Sequence, residues 1–185
     1  MNQAKGSWKP SPHIRDHGSL LGLFTDYNGV GAWSAKAISE RYKVYAGESG
    51  IIPATLDSRL YSERKRVWSY PLMDAIISLI ERCDPAAIRV GIEFIEEDDF
   101  FHFGKTLKSN TARALRRAPL TFDQQERIRK RIVSMLLDGN VPHEFGEYRR
   151  LLKKIGVDHL WGKLDAEVDR TNPYVMRHYR YLKQV

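Results

Sequence analysis

Apolar positions along this chain recur every three or four residues far more often than every two, which is the period of helices packed on one face. Over residues 71–82, Leu72, Ile76, Leu79 and Ile80 form such a stripe and predict a helix. Asp84-Pro85 then opens another, with Asp84 placed to cap it, Pro85 at its first position, and Ile88, Ile92 and Ile95 on its buried side. Ile128, Ile132, Met135 and Leu136 predict a helix over 121–137 that Gly139 stops. After Pro142, Phe145, Tyr148, Leu151, Leu152 and Ile155 line a narrower face that Gly156 ends. Weaker patterns predict a helix over 33–45 broken by Gly47 and Gly50, a short segment over 53–66, and a helix over 98–117 weakened by Gly104. Residues from Asp158 onward read as helical, interrupted at Asn172-Pro173. The apolar run Leu20, Leu21, Leu23 and Phe24 ends in the turn residues Asp26-Tyr27-Asn28-Gly29. No segment sustains a two-residue alternation, so no sheet is expected and the fold class is all-α.

Residues 1–18, punctuated by Pro10, Pro12 and Gly18, read as a flexible tail, and 19–185 as one helical domain, clearest over 68–156. Within it, Ile76-Ile77-Ser78-Leu79-Ile80 is echoed by Ile132-Val133-Ser134-Met135-Leu136, and each copy runs through a proline-containing turn into a second amphipathic helix. The spacing between copies is too long for one helical repeat, so residues 98–118 must add an element. This echo, with the segments Trp68-Ser69-Tyr70-Pro71-Leu72, Ala112-Arg113-Ala114-Leu115-Arg116-Arg117 and Glu144-Phe145-Gly146-Glu147-Tyr148-Arg149-Arg150-Leu151, resembles HEAT or armadillo-type repeats over about residues 68–156. The resemblance implies stacked antiparallel helix pairs that bind other macromolecules through an extended face, and it carries over no catalytic residue. The other architecture open to the same pattern is an irregular helical bundle.

Charge changes the picture because it is local. The chain of 185 residues carries a formal net charge of +7, which favours phosphate or acidic protein surfaces. Lys105, Lys108, Arg113, Arg116, Arg117, Arg127, Arg129, Lys130 and Arg131 are opposed over their span only by Asp123 and Glu126, and the next helix adds Arg149, Arg150, Lys153 and Lys154. A binding face is therefore expected from Arg113, Arg116, Arg117, Arg127, Lys130, Arg131, Arg149, Arg150, Lys153 and Lys154. The opposing expectation is internal pairing with the acidic block Glu93, Glu96, Glu97, Asp98 and Asp99. A lone cysteine, Cys83, excludes an internal disulfide; it ends an apolar helix face and is expected in the core. Residues 1–12 lack the apolar core of a signal peptide, and no stretch has the length to span a bilayer, so a cytoplasmic protein without membrane contact is expected.

Candidate chemistry is sparse. His13 and His17 flank Asp16 at metal-ligand spacing, but between Pro12 and Gly18 an exposed polar tail is the preferred reading over a metal site. Gly29-Val30-Gly31 is only a fragment of a phosphate loop. A helix-turn-helix over 35–45 and 53–66, the second helix carrying Arg59, Arg64, Lys65 and Arg66, needs a connection longer than that motif uses. Trp68, Tyr70, Phe100, Phe101 and Phe103 suit a core better than base stacking, whereas Tyr174, His178, Tyr179 and Tyr181, mixed with Arg177, Arg180 and Lys183, suit an exposed contact patch. With no catalytic motif and no cofactor implied, the expected function is a non-catalytic helical scaffold recognising a partner protein. The alternative is nucleic-acid binding through the basic surface of residues 105–154; the oligomeric state stays open.

Overall fold

The computed structural model describes residues 24–63, 66–98 and 103–184. The tail over 1–18, the histidine pair His13 and His17, the aromatics Phe100 and Phe101, and Arg64 and Lys65 lie outside the described residues.

The expectation of no sheet is corrected. Strands β1 (Phe24–Asp26), β2 (Leu60–Glu63) and β3 (Arg66–Ser69) form one sheet in the order β1-β3-β2. β1 runs parallel to β3, with Phe24 opposite Val67, and β2 runs antiparallel, with Tyr61 opposite Trp68. The strands hold three or four residues each, too few for an alternation to register in the sequence. Residues 51–59 form no regular element and β2 follows, so the second helix of the helix-turn-helix reading does not exist. Asn28 ties the sheet to the helices: its side chain donates to Asp26 (2.8 Å) and accepts from the Leu72 amide (2.7 Å).

Eight α-helices lie among the described residues. Helix α1 (Ala35–Glu48) begins at Ser34, whose hydroxyl accepts from the Ala37 amide, and its stripe Ile38, Tyr42 and Ala46 is fully buried. Trp33 falls in a preceding 3-10 turn, and Gly47 lies inside the helix rather than breaking it. Helix α2 (Met73–Ile80) and helix α3 (Pro85–Glu97) follow the predicted stripes. Asp84 caps α3 through the Ala87 amide (2.9 Å), an interaction worth about 1 kcal/mol, and also accepts from the Tyr42 hydroxyl (2.9 Å). Cys83, expected in the core, is exposed: the chain turns there with φ 62, which carries its side chain off the apolar face of α2.

The predicted helix over 98–117 is shorter. Helix α3 ends at Asp98 in a left-handed conformation and helix α4 (Gly104–Leu115) begins after Phe103, also left-handed. Helix α5 (Phe122–Leu137) starts in a capping box between Thr121 and Gln124, and helix α6 (Phe145–Ile155) ends at Gly156. A 3-10 turn leads into helix α7 (Trp161–Glu167), and Asn172-Pro173 starts helix α8 (Pro173–Lys183) with Asn172 as its cap.

The molecule is mostly helical around α3, which packs on α1, α2, α4 and α5; α6 packs on α4 and α5, and α8 on α5 and α6. Gly91 permits this crowding: a Cβ there would stand 2.5 Å from Ile80 Cδ1 and 3.3 Å from Thr111 Cγ2, so α2 and α4 both close on α3. The echoed segments bury the same four positions, Ile76, Ile77, Leu79 and Ile80 in α2 and Ile132, Val133, Met135 and Leu136 in α5, while α4 supplies the extra element between the two pairs. No helix among the described residues is long and apolar enough to cross a membrane.

Candidate basic binding face

The ten cations expected to share one surface separate into two groups. Those of α5 face the acidic end of α3. Arg127 forks onto Glu96 at 2.9 and 2.5 Å, which raises its pKa further. Arg131 stands 3.5 Å from Asp98, and Lys130 is 3.4 Å from Glu126 on its own helix. Lys108 of α4, only 8 % exposed, completes the seam with bonds to the Asp98 carboxylate (2.5 Å) and carbonyl (3.1 Å), and Glu144 is 3.9 Å away. Arg41 of α1 reaches Glu93 and Glu97, each at 3.3 Å, and stacks on Trp33. Here Glu93, Glu96, Glu97 and Asp98 are paired in cis with Arg41, Lys108, Arg127 and Arg131, while Asp99 lies outside the described residues. Burial, with Asp98 and Glu144 nearby, pushes the Tyr148 phenol upward, so it stays neutral behind this seam.

The second group lies on α4 and α6. Glu147, with its side chain 8 % exposed, receives Arg113 (3.3 Å), Arg116 (3.4 Å) and Arg150 together. Arg149 has no carboxylate of the described residues within ion-pair distance; it stacks on Tyr181 of α8 at 4.2 Å, with one guanidinium nitrogen 3.3 Å from His178 Nδ1. Burial first, and then Arg177 and Arg150, hold Arg149 below its ordinary pKa. Lys153 bonds the Gln184 carbonyl (2.6 Å) and lies 5.0 Å from Tyr181. Lys154 is exposed and makes no ion pair among the described residues, and Arg117 leaves the group to pair with Glu81 at 3.1 Å. Six of the ten expected cations, joined by Arg177, thus have one carboxylate among the described residues within reach, Glu147.

No protein-family model, no curated protein and no solved structure matches this chain.

What the second group can do follows from its exposure. Each guanidinium carries five donors and spends only one or two on Glu147, so most of them face solvent. Ion pairs of such half-exposed side chains contribute about 0–1 kcal/mol, so an incoming carboxylate or phosphate can recruit them at little cost. His178 borders the face with its ring edge-on to Phe145. Burial, reinforced by Arg149 and Arg177, lowers its pKa to about 4, so the ring is neutral and Nδ1 accepts from Arg149.

The C-terminal patch is only partly as expected. Tyr174, Arg177 and Arg180 are exposed, but Tyr179 is buried and donates to Asp165 (2.8 Å), which also holds Lys183 at 2.8 Å. Two residues escaped the sequence reading. Arg129 is 1 % exposed and binds the last carbonyls of α6 at Ile155 and Gly156 (3.0 and 2.9 Å), along with Glu126 and Asp158. Its place four residues before Val133 and seven before Leu136, on the buried side of α5, was the available signal. Glu147, the hub of the second group, sits on the buried side of α6 one turn before Leu151.

Proposed function

We propose that this chain is a non-catalytic helical scaffold that recognises a partner protein, and that it does so through the cationic face of α4, α6 and α8. The observation that carries this reading is the charge imbalance around Glu147: Arg113, Arg116, Arg150, Arg149 and Lys154 crowd a face on which, among the described residues, that carboxylate alone answers them. A surface of this kind attracts an acidic segment and orders it by directional N–H bonds. The sequence resemblance to HEAT or armadillo-type repeats over about residues 68–156 points the same way, since scaffolds of that kind bind macromolecules along a face.

Nucleic acid is the second reading, favoured by the spread of these cations over α4 and α6 and, with Arg177, onto α8. On that reading the phosphate contacts belong to Arg113, Arg116, Arg150 and Lys154 rather than to Arg127 and Arg131, which are committed to Glu96 and Asp98. Against it, two rings at the centre of the face offer no open plane for a base: Tyr181 is covered by Arg149 and His178 is half-buried.

Fluorescence anisotropy of the full chain with a labelled glutamate-rich peptide, duplex DNA and single-stranded RNA, at about 50 and about 200 mM salt, tests both. The expected result is peptide binding that weakens with salt and falls roughly tenfold or more in Arg150→Glu/Lys154→Glu. Peptide binding that is absent, or indifferent to that double substitution, overturns the proposal. Tighter binding of either nucleic acid than of the peptide moves the function to the second reading.

A further inference from the structure

Helices α6 and α8 meet along a line of side chains set one turn apart. On α6, Phe145 packs edge-on to the His178 ring, Arg149 lies over the Tyr181 ring at 4.2 Å, and Lys153 reaches the same tyrosine at 5.0 Å. On α8, Arg177 stands one turn before Tyr181; it is exposed, and its charge is felt by both Arg149 and His178. This seam differs from that of α3 in its acids. No carboxylate among the described residues comes within ion-pair distance of Arg149, Lys153 or Arg177.

Most donors of the seam are unspent. Arg149 places Nη1 3.3 Å from His178 Nδ1, its Nε is buried without a partner, and its Nη2 bonds nothing among the described residues. Its place over Tyr181 and its contact with His178 hold the guanidinium in position while leaving its fork unpaired, which lowers the cost of binding an anion. The Arg177 guanidinium also bonds nothing among the described residues. His178 accepts at Nδ1 while neutral, so its own proton sits on Nε2, a further donor in the same cluster. Cations gathered at one point without an acid repel each other, and an anion arriving there relieves that repulsion.

We propose that the seam of α6 with α8 binds a phosphorylated side chain in the partner protein's acidic segment, with Arg149 and Arg177 gripping the phosphoryl oxygens and Lys153 and His178 flanking them. The proposal rests on the partner-protein reading above and names what that face would recognise. A phosphate monoester brings a charge of about −1.5 to −2 and three strong acceptor oxygens, enough for two arginines at once. A carboxylate has one charge and two oxygens, so it serves one of them well and the other poorly. A nucleic-acid backbone carries single charges spaced along a strand and suits cations set along a track. Here the cations converge from two helices on one histidine, which favours a single, highly charged group.

Three glutamate-rich peptides, identical except for phosphoserine, glutamate or serine at the centre, test this by anisotropy against the full chain. The phosphoserine peptide is expected to bind roughly tenfold tighter than the glutamate peptide. Arg177→Gln should remove most of that preference and change glutamate-peptide binding little, with circular dichroism checking the fold. The ring signals of His178 in NMR spectra of the unaltered chain should shift with the phosphoserine peptide and stay in place with the serine peptide. Equal binding of the phosphoserine and glutamate peptides overturns the phosphoryl site and leaves the acidic-partner reading standing. A phosphoserine preference that survives Arg177→Gln, or that leaves the His178 signals in place, overturns this location. No binding of any peptide overturns both the site and the reading. Inorganic phosphate or single-stranded RNA that displaces the phosphoserine peptide at lower concentration than the unlabelled peptide does overturns the choice of a protein side chain as the ligand.

Discussion

Two regions of this molecule use the same side chains to opposite ends. Along the seam of α3 with α4 and α5, Arg127, Arg131 and Lys108 meet Glu96 and Asp98, and each cation has a carboxylate of its own or a share in one. On the face of α4, α6 and α8, Arg113, Arg116 and Arg150 converge on Glu147 while Arg149 and Lys154 have no carboxylate partner among the described residues. In the seam, charge is structural: Lys108 is buried and Asp98 half-buried, and separating them leaves ions in a medium that solvates them poorly. On the face, charge is surplus, half exposed, and free to be shared with another molecule. A count of basic residues along the chain sees one segment; the positions of their acidic partners make it two.

The largest expected effect tests the seam. Lys108→Met keeps the side-chain length but leaves the buried Glu144 without its cation and Asp98 with Arg131 alone. Stability should fall by about 3 kcal/mol, read as a drop in the urea midpoint, with the peptide affinity of the folded fraction unchanged. A loss below about 1 kcal/mol would place the seam among ordinary surface pairs and erase the contrast. Next is the hub of the face. Glu147→Gln removes the shared carboxylate while preserving shape, so an acidic peptide should bind several-fold tighter, on the order of 1 kcal/mol, although the protein itself becomes less stable. Unchanged or weaker binding would show that Glu147 positions the arginines rather than competing for them.

His178 gives a pH signature to the same face. As pH falls past 6.5, the unfolded chain takes up a proton that the folded ring resists until about pH 4. The folded state therefore loses stability progressively between those values and keeps this contribution above them. Screening at the half-exposed ring brings the loss to about 1–2 kcal/mol, and thermal melts of His178→Gln should show a flatter profile across that window. A substitution that leaves the profile unaltered would detach His178 from the cations Arg149 and Arg177. The smallest effect separates the regions most directly. Arg127→Gln should cost about 1 kcal/mol of stability and leave acidic-peptide binding as it was, because its fork is already occupied by Glu96. If it weakens peptide binding as much as Arg150→Glu does, the two regions are one surface.

The helices that bury a stripe were legible because the stripe is local: Ile128, Ile132, Met135 and Leu136 announce α5, and Asp84-Pro85 marks the start of α3 through side-chain caps that act within one turn. The sheet was not, because β1 and β3 owe their conformation to pairing with each other rather than to three or four residues of pattern. Cys83 was misplaced because a left-handed backbone residue redirects its side chain, and helical periodicity holds no information on that. The candidate site was legible in composition and not in arrangement. Arg127 and Arg150 look alike in sequence; that one meets Glu96 and the other shares Glu147 depends on how α3, α4, α5 and α6 pack.

The parallel pairing of β1 with β3 also sets an order of assembly. The bond between Ser69 and Asp26 closes a span of 43 residues that contains all of α1, whereas α2 with α3, and α5 with α6, are joined across short turns. Contacts between near neighbours in the chain form early, and those that close long loops wait for them. The mostly exposed strands add little burial to compensate for that delay. The sheet is therefore expected to form after the short-turn helix pairs and to open before them, and its amides should exchange with solvent through local openings that leave those of α3 protected until the whole helical core unfolds.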